Sequence, residues 1–93
     1  MVRPKTKSAD KVEDILSSVN ELILYNDDIN TFEFVIESLV EVCGHDFEQA
    51  EQCALVAHYK GRCVVRTGSY NELKGMADAL TIRRLTVVIE NRN

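Results

Sequence analysis

Apolar residues recur along the chain at two spacings, one typical of strands and one typical of amphipathic helices. The first apolar run, Glu21–Tyr25, predicts a strand, and three polar residues, Asn26–Asp28, end it. A helical spacing follows, with Asn30 as the predicted N-cap and Glu33 as its capping-box partner. Gly44 is predicted to end this helix. The apolar face of the helix consists of Phe32, Val35, Ile36, Leu39, Val42 and Cys43.

The second half of the chain predicts two more helices and two more strands. Asp46 is the expected N-cap of the second helix and Gly61 its end, and Arg62–Thr67 follows as a strand. Ser69–Glu72 has the capping-box pattern that starts a third helix, and Leu85–Glu90 predicts the last strand. The apolar face of the second helix consists of Phe47, Ala50, Cys53, Ala54 and Ala57. That of the third consists of Tyr70, Leu73, Met76, Ala77 and Leu80.

The order β-α-α-β-α-β predicts an α+β two-layer sandwich, in which three helices cover one face of a three-stranded antiparallel sheet. Residues 21–93 are expected to form this core and residues 1–20 a flexible N-terminal arm. Within the arm, residues 11–20 carry apolar side chains at helical spacing. This pattern leaves open a short, marginal helix and an arm that becomes ordered on a partner.

Composition and charge narrow the choice of partners. A chain of 93 residues with 45% hydrophobic and 28% charged residues is typical of one globular domain. Its net charge of −4 argues against nucleic acid and favours a cationic partner. No apolar run is long enough to span a membrane. Three cysteines, an odd number in apolar surroundings, predict free thiols and a reducing compartment, for which the cytoplasm is the default.

The polar triplet Asn26–Asp28 has two interpretations. Asn and Asp commonly stabilise tight turns by bonding to nearby backbone groups. A carboxylate and an amide oxygen can also accept charge-assisted hydrogen bonds from an ammonium group. Calcium fits less well, because the loop lacks the spaced ligands of an EF-hand. His58, near the predicted end of the second helix, could either remain at the edge of the core or accept a hydrogen bond from a ligand amine.

No residue set supports a metal site, a cofactor or catalysis. Cys43 and His45 are separated by one residue, which matches no zinc-ligand spacing. Cys53 and His58 would point about 140° apart on one helix, which also excludes a Cys–His nucleophile pair. The chain contains no glycine-rich phosphate loop and no hydrolase motif.

Two separated motifs resemble the ClpS family, the adaptors of the Clp proteases. The first is Leu-Tyr-Asn26-Asp27-Asp28-Ile-Asn-Thr-Phe-Glu-Phe-Val, and the second, one helix later, is Ala-His58-Tyr-Lys-Gly. A terminal strand with Leu85, Ile89 and Glu90 also fits the family pattern. The resemblance extends from Glu21 to Glu90.

The resemblance implies a non-enzymatic adaptor that binds N-degrons, meaning bulky hydrophobic residues at the start of a substrate protein. Asn26, Asp28 and His58 would hold the free α-amino group, while Asp27 and Asn30 would support the turn. The adaptor would then deliver the substrate to a AAA+ unfoldase, ClpA or ClpC, through its arm, with Glu72 and Lys74 as unfoldase contacts. The side-chain pocket would be formed by Leu24, Phe32, Val35, Leu39, Ala54, Ala57 and Leu85.

The sequence departs from the family pattern around this pocket. Asn30-Thr31-Phe32 replaces the usual Thr-Pro-Met, so an aromatic side chain stands where the family has a gating methionine. Ala54 and Ala57 replace larger residues. We expect a roomier pocket that prefers N-terminal Phe, Tyr or Trp over Leu. The alternative function is a protein-interaction module of this fold that docks a partner helix and needs no amine site.

Overall fold

The computed structural model describes residues 19–92, which form three strands and three helices in the predicted order. Their bounds are β1 (Asn20–Tyr25), α1 (Phe32–Cys43), α2 (Phe47–Lys60), β2 (Arg62–Gly68), α3 (Tyr70–Ile82) and β3 (Thr86–Asn91). The strands make one antiparallel sheet with the order β2-β1-β3, so the predicted α+β class is confirmed.

The predicted arm lies outside the described residues, except for its last two positions. The first strand begins at Asn20, one residue earlier than predicted, and Asn20 pairs with Gly68 on one side and Asn91 on the other. Pairing with two neighbouring strands satisfies the backbone groups of this residue and extends the strand by one position.

The central strand β1 provides the middle of the core. Leu22 and Leu24 face the helices and are almost fully buried, whereas Ile23 points to the other face of the sheet, as the two-residue period of a strand requires. The helices contribute apolar residues from one face each, and the buried cluster includes Leu39, Ala50, Cys53, Leu73 and Leu80.

Helix caps match the sequence prediction at four ends and differ at one. Asp46 and Ser69 accept hydrogen bonds from the backbone N–H groups of Gln49 and Glu72, as capping residues do. Gly44 and Gly61 end their helices at φ values of 70° and 95°, which glycine adopts without steric cost.

The prediction of Asn30 as the N-cap of α1 is wrong, because Thr31 takes that position. The Thr31 hydroxyl accepts from the Phe34 N–H at 3.1 Å. Asn30 uses its side chain elsewhere, donating to the Asp27 carboxylate and to the Arg84 carbonyl. Neighbouring Asn and Thr are both good caps, so a tertiary contact decides between them.

Two aromatic residues assigned to apolar helix faces are exposed instead. Phe47 is 63% exposed and Tyr70 is 42% exposed. Each is the first residue of its helix. Helical side chains lean toward the N-terminus, which carries these two past the end of the helical layer.

The α1–α2 hairpin is fixed to β2 by two polar contacts. His45, in the connection, is buried and its Nε2 lies 2.9 Å from the Val65 carbonyl. Arg66 donates to the Cys43 carbonyl at 2.6 Å, which satisfies one free carbonyl at the end of α1. These contacts hold both helices over the sheet and so position the residues at the opposite end of the hairpin.

Candidate functional site

A cavity of about 280 Å³ opens where β1, the start of α1 and the end of α2 meet. Its mouth is polar and its inner wall is apolar. The lining residues are Leu24, Tyr25, Asn26, Asp27, Asp28, Asn30, Phe32, Val35, Ala54, Ala57 and His58. The cavity therefore collects all five polar residues singled out in the sequence.

A backbone hydrogen bond brings the two sequence motifs together. The Asn26 N–H donates to the Gly61 carbonyl at 3.0 Å, which joins the end of β1 to the end of α2. His58 lies in the last turn of α2 and lines the same cavity as the Asn26–Asp28 turn. Short loops thus bring together side chains that lie about thirty positions apart in the sequence.

Asp27 stabilises the turn from within. One carboxylate oxygen accepts from the backbone N–H groups of Ile29 and Asn30, both at 2.9 Å. The other accepts from the Asn30 side chain at 3.0 Å. Burial favours a higher pKa for Asp27, but these hydrogen bonds stabilise the carboxylate and bring its pKa below the ordinary value of 3.8.

We expect the Asp27→Ala variant to unfold about 1–2 kcal/mol more easily than the wild type at pH 7, because it loses charge-assisted hydrogen bonds. A depressed pKa stabilises the fold above pH 3.8, and this contribution disappears as the pH falls through the lower folded-state value. Urea denaturation at several pH values measures the difference. Asp28→Ala is the matched control, and an equal loss of stability in both variants would contradict the assignment.

Asn26, Asp28 and His58 differ from Asp27 in being exposed at the mouth. Within residues 19–92, no hydrogen bond engages the side chains of these three residues, and the His58 and Tyr59 ring centroids lie 4.9 Å apart in a T-shaped arrangement. A carboxylate, an amide and an imidazole are therefore all available to a ligand at one opening. Together they can accept hydrogen bonds from a cationic donor.

The apolar wall combines two buried alanines with partly buried side chains. Ala54 and Ala57 are 4% and 3% exposed and lie three residues apart on one face of α2. Phe32 and Val35 come from the first turn of α1, and Leu24 lies one residue before the end of β1. Small side chains on α2 leave the space that the cavity occupies.

Two residues expected in the pocket do not line it. Leu39 and Leu85 are almost fully buried and belong to the core. Leu39 lies on the same face of α1 as Phe32 but about 10 Å further along the helix, so its side chain does not reach the cavity. Tyr25 lines the cavity unexpectedly, because the period of a strand puts it on the opposite face from Leu24. Its position directly before the Asn26–Asp28 turn could have indicated that Tyr25 lies at the cavity.

Glu72 and Lys74 lie on α3, away from the cavity, and are exposed. Lys74 forms an i,i+4 ion pair with Asp78 at 2.8 Å, and the hydrogen bond from this pair raises the pKa of Lys74.

A second, larger groove of about 630 Å³ runs between α1 and α2. It combines apolar side chains with a rim of carboxylates, and its lining residues are Phe32, Glu33, Ile36, Glu37, Val40, Glu41, Phe47 and Glu51. Phe32 belongs to both openings. The smaller cavity holds the predicted amine site, whereas the groove holds only carboxylates as polar groups.

Within the described part of the chain, no group of three or more His, Cys, Asp or Glu side chains could hold a metal ion. Over the same residues, no helix is both long enough and apolar enough to cross a membrane.

The chain is similar in sequence to adaptors of the Clp protease. Residues 16–85 match the family model described as "ATP-dependent Clp protease adaptor protein ClpS". The ClpS adapter proteins of Citrobacter koseri and Escherichia fergusonii are each 42% identical over 69 residues. These alignments cover 70% of this chain and 65% of each relative, so the chain spans less than two thirds of their length.

A solved structure, that of Agrobacterium tumefaciens ClpS2 bound to L-phenylalaninamide, has the same fold with a TM-score of 0.76. The identity is 21%, and the superposition covers 82% of this chain and 99% of that one. The family match, the curated relatives and the shared fold agree with one another. The chain belongs to the ClpS family of ATP-dependent Clp protease adaptor proteins.

Proposed function

We propose that this chain binds a bulky hydrophobic residue at the free N-terminus of a substrate protein and delivers that protein to ClpA or ClpC. The observation that carries the proposal is a single cavity whose mouth accepts hydrogen bonds and whose wall is apolar. An N-terminal residue has two matching parts, an ammonium group and a side chain, and both are attached to the same α-carbon. Recognition of both parts distinguishes the first residue of a chain from the same residue within a chain.

The mouth supplies the complement of an ammonium group. An α-ammonium carries three N–H donors. The Asp28 carboxylate, the Asn26 amide oxygen and the neutral ring nitrogen of His58 supply three acceptors at the cavity. Asp28 provides the negative charge, and hydrogen bonds between charged partners are about twice as strong as neutral ones.

The wall supplies the complement of a large side chain. Burying a Phe or Leu side chain contributes about 2–3 kcal/mol. Phe32 at the wall can meet an aromatic side chain edge-to-face, which adds about 0.5–1.5 kcal/mol beyond burial. With Ala54 and Ala57 opposite, the pocket is proposed to prefer Phe, Tyr or Trp over Leu. The ClpS2 relative was solved with L-phenylalaninamide, which has both a free amine and an aromatic side chain.

Delivery would use parts of the chain other than the cavity lining. The arm over residues 1–20 would engage the unfoldase, and exposed Glu72 and Lys74 on α3 would contribute a contact. The chain itself would cleave nothing, since recognition and hand-over need no catalytic group.

A peptide titration tests the proposal directly. A fluorescent peptide that begins with Phe should bind, and acetylation of its amino group should weaken binding by at least about tenfold, because an amide cannot replace a charged donor. The same peptide with one residue added before Phe is the second control. Equal affinities for free and acetylated peptides would contradict recognition of the α-amino group.

The alternative, a module that docks a partner helix, is favoured by the groove between α1 and α2. Phe47 is 63% exposed at this groove, and apolar grooves receive amphipathic helices in many complexes. The Val40→Asp variant separates the two functions, because Val40 lines the groove and not the cavity. N-degron recognition requires that this variant bind the Phe peptide as the wild type does.

A further inference from the structure

The groove between α1 and α2 begins at the edge of the cavity. Phe32 lines both openings, so a peptide that leaves the cavity past this side chain enters the groove. From Phe32 the groove follows α1 as far as Glu41, and Phe47 and Glu51 of α2 line it as well. At a rise of 1.5 Å per residue, this stretch of α1 is about 13–14 Å long. An extended peptide covers that distance in about four residues.

The groove also has an apolar floor that is partly open to solvent. Ile36 is 7% exposed, whereas Val40 and Phe47 are 36% and 63% exposed. A ligand that covers Val40 and Phe47 removes apolar surface from water, which favours binding. The floor therefore suits side chains with long aliphatic parts.

Carboxylates form the rim of the groove. Glu33, Glu37 and Glu41 follow one another on α1 at a spacing of four residues, which puts them on one side of the helix. Glu51 adds a fourth carboxylate from α2. Arg83 pairs with Glu41 at 2.6 Å, but the other three take part in none of the ion pairs formed within residues 19–92. The rim therefore keeps an excess of negative charge.

We propose that this groove binds the residues that follow the N-terminal residue of the substrate, and that it favours substrates with Lys or Arg at positions 2–5. This selectivity rests on the proposed function, since the first residue must occupy the cavity. Lys and Arg match the groove because their aliphatic stems can cover the apolar floor while their charged ends reach the rim. Acidic residues at these positions would meet carboxylates of like charge.

The expected selectivity is modest and depends on salt. Exposed ion pairs contribute little individually, so several of them together should change the affinity by about fivefold to tenfold. Salt screens charges at the surface and should reduce this difference. The cavity would thus decide whether a substrate binds, and the groove would rank substrates that begin with the same residue.

Three peptides of equal length that begin with a free Phe test this selectivity. Positions 2–5 are all Lys in the first peptide, all Ser in the second and all Glu in the third. At low salt the full chain should bind the Lys peptide at least about fivefold more tightly than the Ser peptide, and the Glu peptide at least about fivefold more weakly. Both differences should shrink at high salt. Equal affinities at low salt, as expected if the groove receives a partner helix instead, would overturn the proposal.

The variants Glu37→Lys and Glu72→Lys separate the groove from the overall charge of the domain. Both change the net charge equally, but Glu37 lines the groove, whereas Glu72 is exposed on α3 and lines neither opening. Glu37→Lys should bind the Lys and Ser peptides within about twofold of each other, whereas Glu72→Lys should keep most of the wild-type preference. Equal losses of preference in both variants would mean that net charge attracts basic peptides, and would overturn the assignment to the groove.

The Ser peptide keeps this result separate from the proposed function. Glu37→Lys and Val40→Asp should bind it as the wild type does, because its downstream residues carry no charge. If its free and acetylated forms bind equally, the proposed function fails and the selectivity of the groove fails with it. If only the free form binds well, but the Lys and Glu peptides have the same affinity as the Ser peptide, the proposed function stands and the groove assignment alone is overturned.

Discussion

The double variant Asp28→Ala, His58→Ala is expected to bind a peptide with a free N-terminal Phe about 100-fold more weakly than the wild type. Each substitution removes one acceptor of the ammonium group, and a hydrogen bond to a charged group contributes about 1.5–3 kcal/mol. A total loss of about 3 kcal/mol corresponds to about 100-fold in affinity. Fluorescence anisotropy with a labelled peptide measures this difference.

The acetylated peptide provides the control for this experiment. It has already lost the ammonium group, so the double variant should bind it about as weakly as the wild type does. Asp28→Asn, which keeps the shape and removes the charge, should fall between the wild type and the double variant. Equal losses for free and acetylated peptides would mean that the substitutions damage the cavity and not the amine contact.

Folding should be little affected by these substitutions, since both residues are exposed and their side chains make no hydrogen bond within the described part of the chain. This separates them from Asp27, whose carboxylate holds the turn. The three polar residues of the triplet thus divide into Asp27, which stabilises the turn, and Asn26 and Asp28, which are proposed to contact the ligand. Residue chemistry alone could not make this division, because Asn and Asp serve equally well in turns and in sites, and only the family resemblance implied it.

The elements and most of their ends follow from patterns that act locally. The glycines at 44 and 61 and the caps at Asp46 and Ser69 depend on residues within one turn, so the sequence is sufficient to predict them. Asn30 was mispredicted because its side chain bonds to the Arg84 carbonyl, 54 residues away. A contact between residues so far apart in the sequence cannot be predicted from the residues that flank Asn30.

The local pattern also does not predict which residues of a helix face line the pocket. Helical periodicity puts Phe32 and Leu39 on one face of α1, but only packing decides that Phe32 reaches the cavity and Leu39 the core. No spacing rule links a turn to a helix end so far along the chain. Asn26 and His58 could therefore be assigned to one site only from the family resemblance. The hydrogen bond from Asn26 to Gly61 is the physical reason that they meet.

The second large effect is expected from filling the cavity. Ala57→Leu adds a branched side chain to the wall of a space of about 280 Å³, so an N-terminal Phe side chain can no longer be buried there. The loss of about 2–3 kcal/mol of burial corresponds to about 30–150-fold weaker binding of the Phe peptide. A Leu peptide, which buries less surface in the wild type, should lose less.

Ala77→Leu is the matched control, because Ala77 packs against the core from α3 without lining the cavity. Both variants add volume to a packed interior and should lose stability for that reason. Thermal unfolding measures this loss of stability separately from binding. The comparison also tests the ligand preference, since the wild type should bind the Phe peptide more tightly than the Leu peptide and Ala57→Leu should reduce that difference. If Ala57→Leu binds both peptides as the wild type does, the side chain of the N-terminal residue does not enter this cavity.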